Sequence, residues 1–125
     1  MNRARYLIDS DVIIWHLRGR AKSVELLQRL SDEGPLACSV LSLTEVMRGA
    51  KAAELQSTEA LLAELEVFDI TREIAIMAAS HVRRGLGMVD AQILATCLTY
   101  GLTLVTYNHK HFDVPEMNLF DTREC

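Results

Sequence analysis

Several things missing from this chain of 125 residues narrow its class before any motif is read. No apolar run approaches the ~20 residues needed to span a bilayer. Residues 1–5 lack the basic, then apolar, then small-residue layout of a secretory signal, so a cytoplasmic protein with no membrane span is expected. The cysteines Cys38, Cys97 and Cys125 form no C-x-x-C pair, and their odd number argues against a closed disulfide framework. Cys38 and Cys97 lie in apolar surroundings, where a thiol packs as a small hydrophobe. Repeats, low-complexity tracts and linkers are absent, so residues 1–125 are read as one domain, long enough to bury a core.

An excess of basic charge is also missing. The net charge is −4, whereas a basic surface is the usual footprint of a nucleic-acid enzyme. Acidic groups that bind a cation count against this total without repelling a polyanion once the cation is in place. The basic residues are moreover grouped: Arg18, Arg20 and Lys22; Arg48 and Lys51; Arg83 and Arg84. Charge alone does not decide the function.

What is present is an alternation of short apolar strands with helices. Tyr6-Leu7-Ile8 reads as a buried strand ending at Asp9, followed by a helix over 11–16 that breaks near Gly19. Val24, Leu26, Leu27 and Leu30 mark a second helix, stopped by Gly34-Pro35. A strand over 36–40 precedes a helix with Leu43, Val46, Met47 and Ala50 at i, i+3, i+4, i+7 spacing. A helix over 53–65 leads into a strand over 66–70. Thr71 is a natural N-cap for the next helix, whose expected apolar stripe is Ile74, Met77, Ala78 and His81. From Asp90 a helix apolar almost all round should be buried, and Gly101 ends it. A strand over 102–106 follows, and 117–120 is a further short one. This alternation predicts a three-layer α/β/α fold with a central, mainly parallel sheet of about five strands. Ligands bind such sheets beyond the carboxyl ends of the strands, where strand order reverses.

Four polar positions can share that edge: Asp9, Glu45, Asp90 and Asn108. Asp9 and Asp11 flank Ser10 at a strand end, where one acid suffices as an N-cap and two repel unless a cation lies nearby. Glu45 fits a capping box with Ser42, yet it also lies beside the core stripe and faces its margin. Asp90 begins a buried helix, either as a partner of the helix dipole or as a charge that a cation compensates, since burying it alone costs several kcal/mol. Asn108, in a loop after a strand, reads as a turn former or as a polar group at the same edge. His109 and His111 alternate in one loop without a Cys or third clustered His, which is poor zinc spacing. His81 reads as a core residue, and Trp15 and His16 as packing groups of the first helix.

Taken together, the segments Tyr6-Leu7-Ile8-Asp9-Ser10-Asp11-Val12-Ile13, Leu43-Thr44-Glu45-Val46-Met47-Arg48-Gly49, Asp90-Ala91-Gln92-Ile93-Leu94-Ala95 and Leu104-Val105-Thr106-Tyr107-Asn108-His109-Lys110-His111-Phe112 resemble the PIN-domain ribonucleases. Their order, spacing and chain length resemble specifically the VapC-type toxins of type II toxin–antitoxin pairs. The resemblance implies a Mg²⁺- or Mn²⁺-dependent endoribonuclease. Asp9, Glu45 and Asp90 match the family's acidic cluster, with Asp9 and Asp90 as direct metal ligands and Glu45 completing the shell or acting on a water. Asn108 falls where many members carry a fourth acid; it can orient a water but supplies no charge, so the number of metals stays open, as does participation by Asp11 or Asp113. Thr106 resembles the hydroxyl residue beside that position. Arg48 and Arg83 are expected to position the RNA backbone. A homodimer and a cognate antitoxin, which places a basic side chain into the acidic pocket, are implied as partners.

Three rivals remain at this level, the weakest a phospho-acceptor receiver domain, which needs an acceptor Asp after a central strand where Asp69 instead lies inside one. A PIN-like module without catalytic power, acting as an RNA-binding or scaffold protein, is compatible with the amide at Asn108. A haloacid-dehalogenase-type phosphatase would use Asp9-Ser10-Asp11 as its D-x-D start, but a matching downstream lysine and second acidic pair are not evident.

Overall fold

The computed structural model describes residues 3–122. Four parallel strands form its sheet: β1 (Tyr6–Ile8), β2 (Leu36–Ser39), β3 (Glu66–Phe68) and β4 (Thr103–Val105), in the order β3-β2-β1-β4. Between them run α1 (Ser10–Leu17), α2 (Ala21–Ser31), α3 (Val40–Gly49), α4 (Leu55–Ala63), α5 (Arg72–Arg83) and α6 (Met88–Tyr100). The chain therefore steps outward from β1 to β3 and then returns to the opposite side of β1. Strand order reverses between β1 and β4, and the carboxyl ends of these two strands open the crevice where such folds place a site.

The strands are short and buried because successive side chains alternate between faces. Ile8, Cys38 and Val105 point into a core closed by Val12 and Ile13 of α1, Leu26, Leu27 and Leu30 of α2, and Val46 of α3. Leu7, Ala37 and Leu104 point the other way, onto Ile93, Leu94 and Cys97 of α6. Each fully buried leucine contributes roughly 1.5–3 kcal/mol by leaving water, so the two cores fix the sheet between its helix layers. On the outer side of α6, Ala91 and Ala95 meet Ile74 and Ala78 of α5. Small residues at this seam let the two helices approach closely.

Local signals set the helix ends. Thr71 accepts from the Ile74 N–H and caps α5. Gly101, at φ +66°, ends α6 in a left-handed conformation that a side chain would resist. The expected fifth strand is only a single parallel bridge, Leu104 to Leu119. Leu104 N–H donates to the Asn118 carbonyl and Phe120 N–H to the Leu104 carbonyl, and pairing goes no further. The strand expected over 66–70 stops at Phe68 on the sheet edge, and the last helix starts at Met88, two residues ahead of Asp90. Cys38 and Cys97 are buried free thiols, pushed up to about 11 and about 12 respectively, by burial in both cases and by the nearby Asp9 charge for Cys97. Cys125 lies outside the described residues. Among the described residues no helix is long and apolar enough to cross a membrane.

Candidate active site

Asp9 leaves β1 at the strand-order reversal, with its backbone N–H still donating to the Val105 carbonyl at 2.9 Å. It becomes the N-cap of α1, and its Oδ1 accepts from the Ser10 N–H at 2.9 Å. The cap does not exhaust the carboxylate. Its Oδ2 accepts from the Thr106 hydroxyl at 2.8 Å, and the residue is only 8% exposed. Burial pushes its carboxyl up to about 6; the Asp11 charge adds to this, the Thr106 and Ser10 hydrogen bonds oppose it, and Glu45 raises it further.

Asp11, one residue into α1, turns back to the same place. Its Oδ2 accepts from the Tyr107 N–H at 3.0 Å and lies 3.4 Å from Thr106 Oγ1. Its Oδ1 is buried with no hydrogen-bond partner. Burial raises this carboxyl also, with Glu45 contributing and the bonds from Tyr107, Val12 and Thr106 opposing. Glu45 arrives from the middle of α3, and its Oε1 accepts from the Ser10 hydroxyl at 3.2 Å. The capping box with Ser42 does not form. Ser39 is the N-cap, accepting from the Leu41 N–H, so α3 begins earlier and Glu45 is carried past its first turn. Ser42 is instead buried.

Thr106 is the hub of this cluster. Fully buried, it donates to Asp9 and accepts from the Asn108 N–H at 3.0 Å. Thr106→Val keeps the shape and removes both bonds, leaving a buried carboxylate oxygen and an amide short of a partner. A loss of about 1–3 kcal/mol in urea unfolding is expected; an unchanged midpoint would show that the hydroxyl does not hold Asp9.

Asp90 meets the loop after β4. Asp90 stands in the first turn of α6, part-exposed, with Oδ2 at 3.2 Å from His111 Nδ1. Cys97, two turns along the same helix, feels the Asp9 charge. Asn108 is exposed, and what it contributes to the cluster is its backbone N–H. It opens a short 3-10 turn, His109–Phe112, and Asp113 lies exposed at the far end of that turn. His109 is a structural tie: its Nε2 meets the Thr122 hydroxyl at 2.7 Å, and that hydroxyl donates to the Thr106 carbonyl.

These donors are all hard oxygens; the charges of Asp11 and Glu45 raise the proton affinity of Asp9, and the charge of Glu45 raises that of Asp11. Together with the orphaned Asp11 oxygen this fits a small divalent cation. Among the described residues no three His, Cys, Asp or Glu side chains are grouped closely enough to hold a metal ion between them. An open arrangement is what Mg²⁺ takes, since it binds through one or two carboxylates and keeps several waters.

The four-strand order, the acids at the β1–β4 reversal and the family's sequence model agree: the PIN domain model matches residues 6–117. The chain belongs to the PIN-domain family. It is 38% identical over 116 residues to Ribonuclease VapC10 of Mycobacterium tuberculosis, spanning 88% of this chain and 87% of that one. Ribonuclease VapC19 of the same organism is 32% identical over 113 residues, spanning 85% and 90%. A chain of a toxin–antitoxin complex from Klebsiella pneumoniae superposes with a TM-score of 0.81 at 30% identity, covering 94% of this chain and 97% of that one. The PIN domain described here is of the VapC type.

The remaining expected positions of this PIN domain are distributed less tightly. Arg48 lies three residues beyond Glu45 on α3 and is exposed. Arg83 instead borders a groove of about 300 Å³ between α5 and α6, with Met88 and Gln92. His81 is buried against Arg84, as a core residue of α5. Trp15 departs from expectation: it is 41% exposed on the outer face of α1 and does not pack in the core. The sequence left participation by Asp11 open, and the structure brings it to Asp9 at Thr106; the local sequence gave no sign that His111 would face Asp90. Both depend on the loop after β4 folding over the end of β1.

Proposed function

We propose that this PIN domain is a Mg²⁺- or Mn²⁺-dependent endoribonuclease, the toxin of a toxin–antitoxin pair, acting in the cytoplasm. The observation that carries the reading is the Asp9 carboxylate, buried at the strand-order reversal and crowded by Asp11 and Glu45. A cation at that point relieves a repulsion that the fold otherwise sustains at a cost. The substrate class follows from the relatives named as ribonucleases, and the antitoxin from the complex that the fold matches.

In this reading Asp9 and Asp90 hold the cation, and Glu45 completes its shell or takes a proton from the attacking water. The bound ion supplies Lewis-acid stabilisation of the phosphate and a lowered water pKa. Thr106 fixes the rotamer of Asp9. Asn108 orients a water without adding charge. Arg48 at the rim holds the RNA backbone without reading sequence. The antitoxin inserts a basic side chain into the anionic pocket. A second copy of the chain covers the α5–α6 face, where Ile76 and Met88 are 64% and 67% exposed.

The test is a cleavage assay on total cellular RNA, with Mg²⁺ or Mn²⁺ and then with EDTA. Cleavage that requires the metal is expected. Intact RNA under every metal, from folded protein free of antitoxin, would replace the reading with that of an inert module.

A further inference from the structure

Beside the acids lies a cluster that the proposed chemistry does not use. Gly19, at φ +77°, turns the chain after α1, and the Arg20 N–H donates to the Trp15 carbonyl at 3.0 Å. The turn brings two guanidinium groups onto the exposed indole: Arg18 at 5.6 Å and Arg20 at 5.1 Å from the Trp15 ring centre. Arg20 also lies 5.4 Å from the ring centre of Tyr107. Tyr107 is in turn pinned to α2, its hydroxyl 2.6 Å from that of Ser23. Its own backbone N–H is the donor that holds Asp11, and its neighbour Thr106 holds Asp9. The stack therefore abuts the acidic cluster directly.

Among the described residues neither Arg18 nor Arg20 joins an ion pair. A guanidinium held by aromatic faces keeps the donors along its edge free, and that edge matches a phosphate bidentately. Exposed aromatic and guanidinium planes are also surfaces on which unpaired bases stack. In a chain of net charge −4, two unpaired cations next to three carboxylates offer a polyanion a point of attachment at the site's edge.

We infer that Trp15, Arg18, Arg20 and Tyr107 form a platform for single-stranded RNA, stacking a base and gripping a phosphate one nucleotide or so from the bond to be cut. The inference rests on the ribonuclease reading and names positioning residues for it. It also gives the enzyme a preference for unpaired over duplex RNA, because a paired base cannot reach the stack.

Trp15 is the only tryptophan, so its fluorescence reports this place alone. The full-length Asp9→Asn variant in EDTA is titrated with a single-stranded oligo(U) RNA, and with the same RNA annealed to oligo(A). Saturable quenching by the single strand and weak quenching by the duplex are expected. Arg20→Ala should weaken binding roughly tenfold and lower the slope of log affinity against log salt by about one. On the metal-loaded enzyme, Trp15→Ala should raise KM roughly tenfold with kcat retained, while Trp15→Phe restores KM to within about threefold, since base stacking tolerates any aromatic ring. Metal-dependent cleavage by the wild type with an unquenched Trp15 and an unchanged KM for Trp15→Ala would overturn the platform and leave the ribonuclease reading standing. A fluorescence response confined to a co-expressed partner protein would assign the surface to protein recognition and overturn it equally. No metal-dependent cleavage by the wild type is the separate failure of the ribonuclease reading.

Discussion

Asp9→Asn is expected to abolish RNA cleavage and, in EDTA at pH 8, to melt at a higher temperature than the wild type. The two effects share one cause. Burial first, then the Asp11 charge, pushes the Asp9 carboxyl from 3.8 up to about 6, so the folded protein holds this proton more tightly than the unfolded chain does. Between about pH 4 and pH 6 the native state carries the proton and the unfolded state does not. Stability contributed by this group therefore falls as pH rises through that window. The difference of about two pH units corresponds to about 3 kcal/mol by pH 7–8. Asparagine keeps the N-cap acceptor for Ser10, and the Thr106 hydroxyl can rotate to accept from the new amide. About 2 kcal/mol of net stabilisation is expected, at roughly 4 °C in Tm per kcal/mol for a chain of this size. Thermal melts from pH 4 to pH 8 check the argument: the variant's advantage should vanish near pH 4. A variant that cleaves RNA normally, or that is destabilised at pH 8, would remove Asp9 from the centre of the site.

The second large effect is stabilisation of the wild type by Mg²⁺ or Mn²⁺. A cation that binds only the folded site adds about 2.7 kcal/mol at a concentration 100-fold above its Kd, an increase in Tm of roughly 10 °C here. The ligand must be deprotonated to bind. With the Asp9 carboxyl at about 6, the shift should be large at pH 8 and nearly lost at pH 5. Asp9→Asn should show little shift at either pH. Equal shifts at both pH values, or in both proteins, would mean that the ion binds elsewhere on the surface.

These two experiments concern a centre that is a compromise between stability and function. Three carboxylates at the end of β1 are unfavourable to the fold alone and useful to an enzyme that must hold a cation against a phosphate. The hydrogen bonds from Thr106, Ser10 and Tyr107 soften that conflict without removing it.

Much of this was legible in the sequence, where the forces act over a few residues. The apolar alternation at Tyr6–Ile8 and Leu36–Ser39, the cap at Thr71, the stop at Gly101 and the buried character of α6 all follow from neighbours within about four positions. The same local reasoning placed Asp9 at a strand end and in a cap. At Glu45 it left a capping box and a site role open, because a capping box and a helix begun three residues earlier look alike along the chain. It erred at Trp15, because the periodicity of a short helix does not say how far its buried stripe extends.

Sequence by itself determined most of the elements and marked four polar positions along them. Tertiary structure alone decided which of them meet. Thr106 bonds Asp9 across 97 residues, Ser10 bonds Glu45 across 35, and His111 reaches Asp90 from a different loop. Those meetings depend on β4 returning to the far side of β1, a choice made by the packing of two cores on opposite faces of the sheet. Burial, and with it the raised proton affinity of Asp9, is a property of that packing, and no window of local sequence contains it.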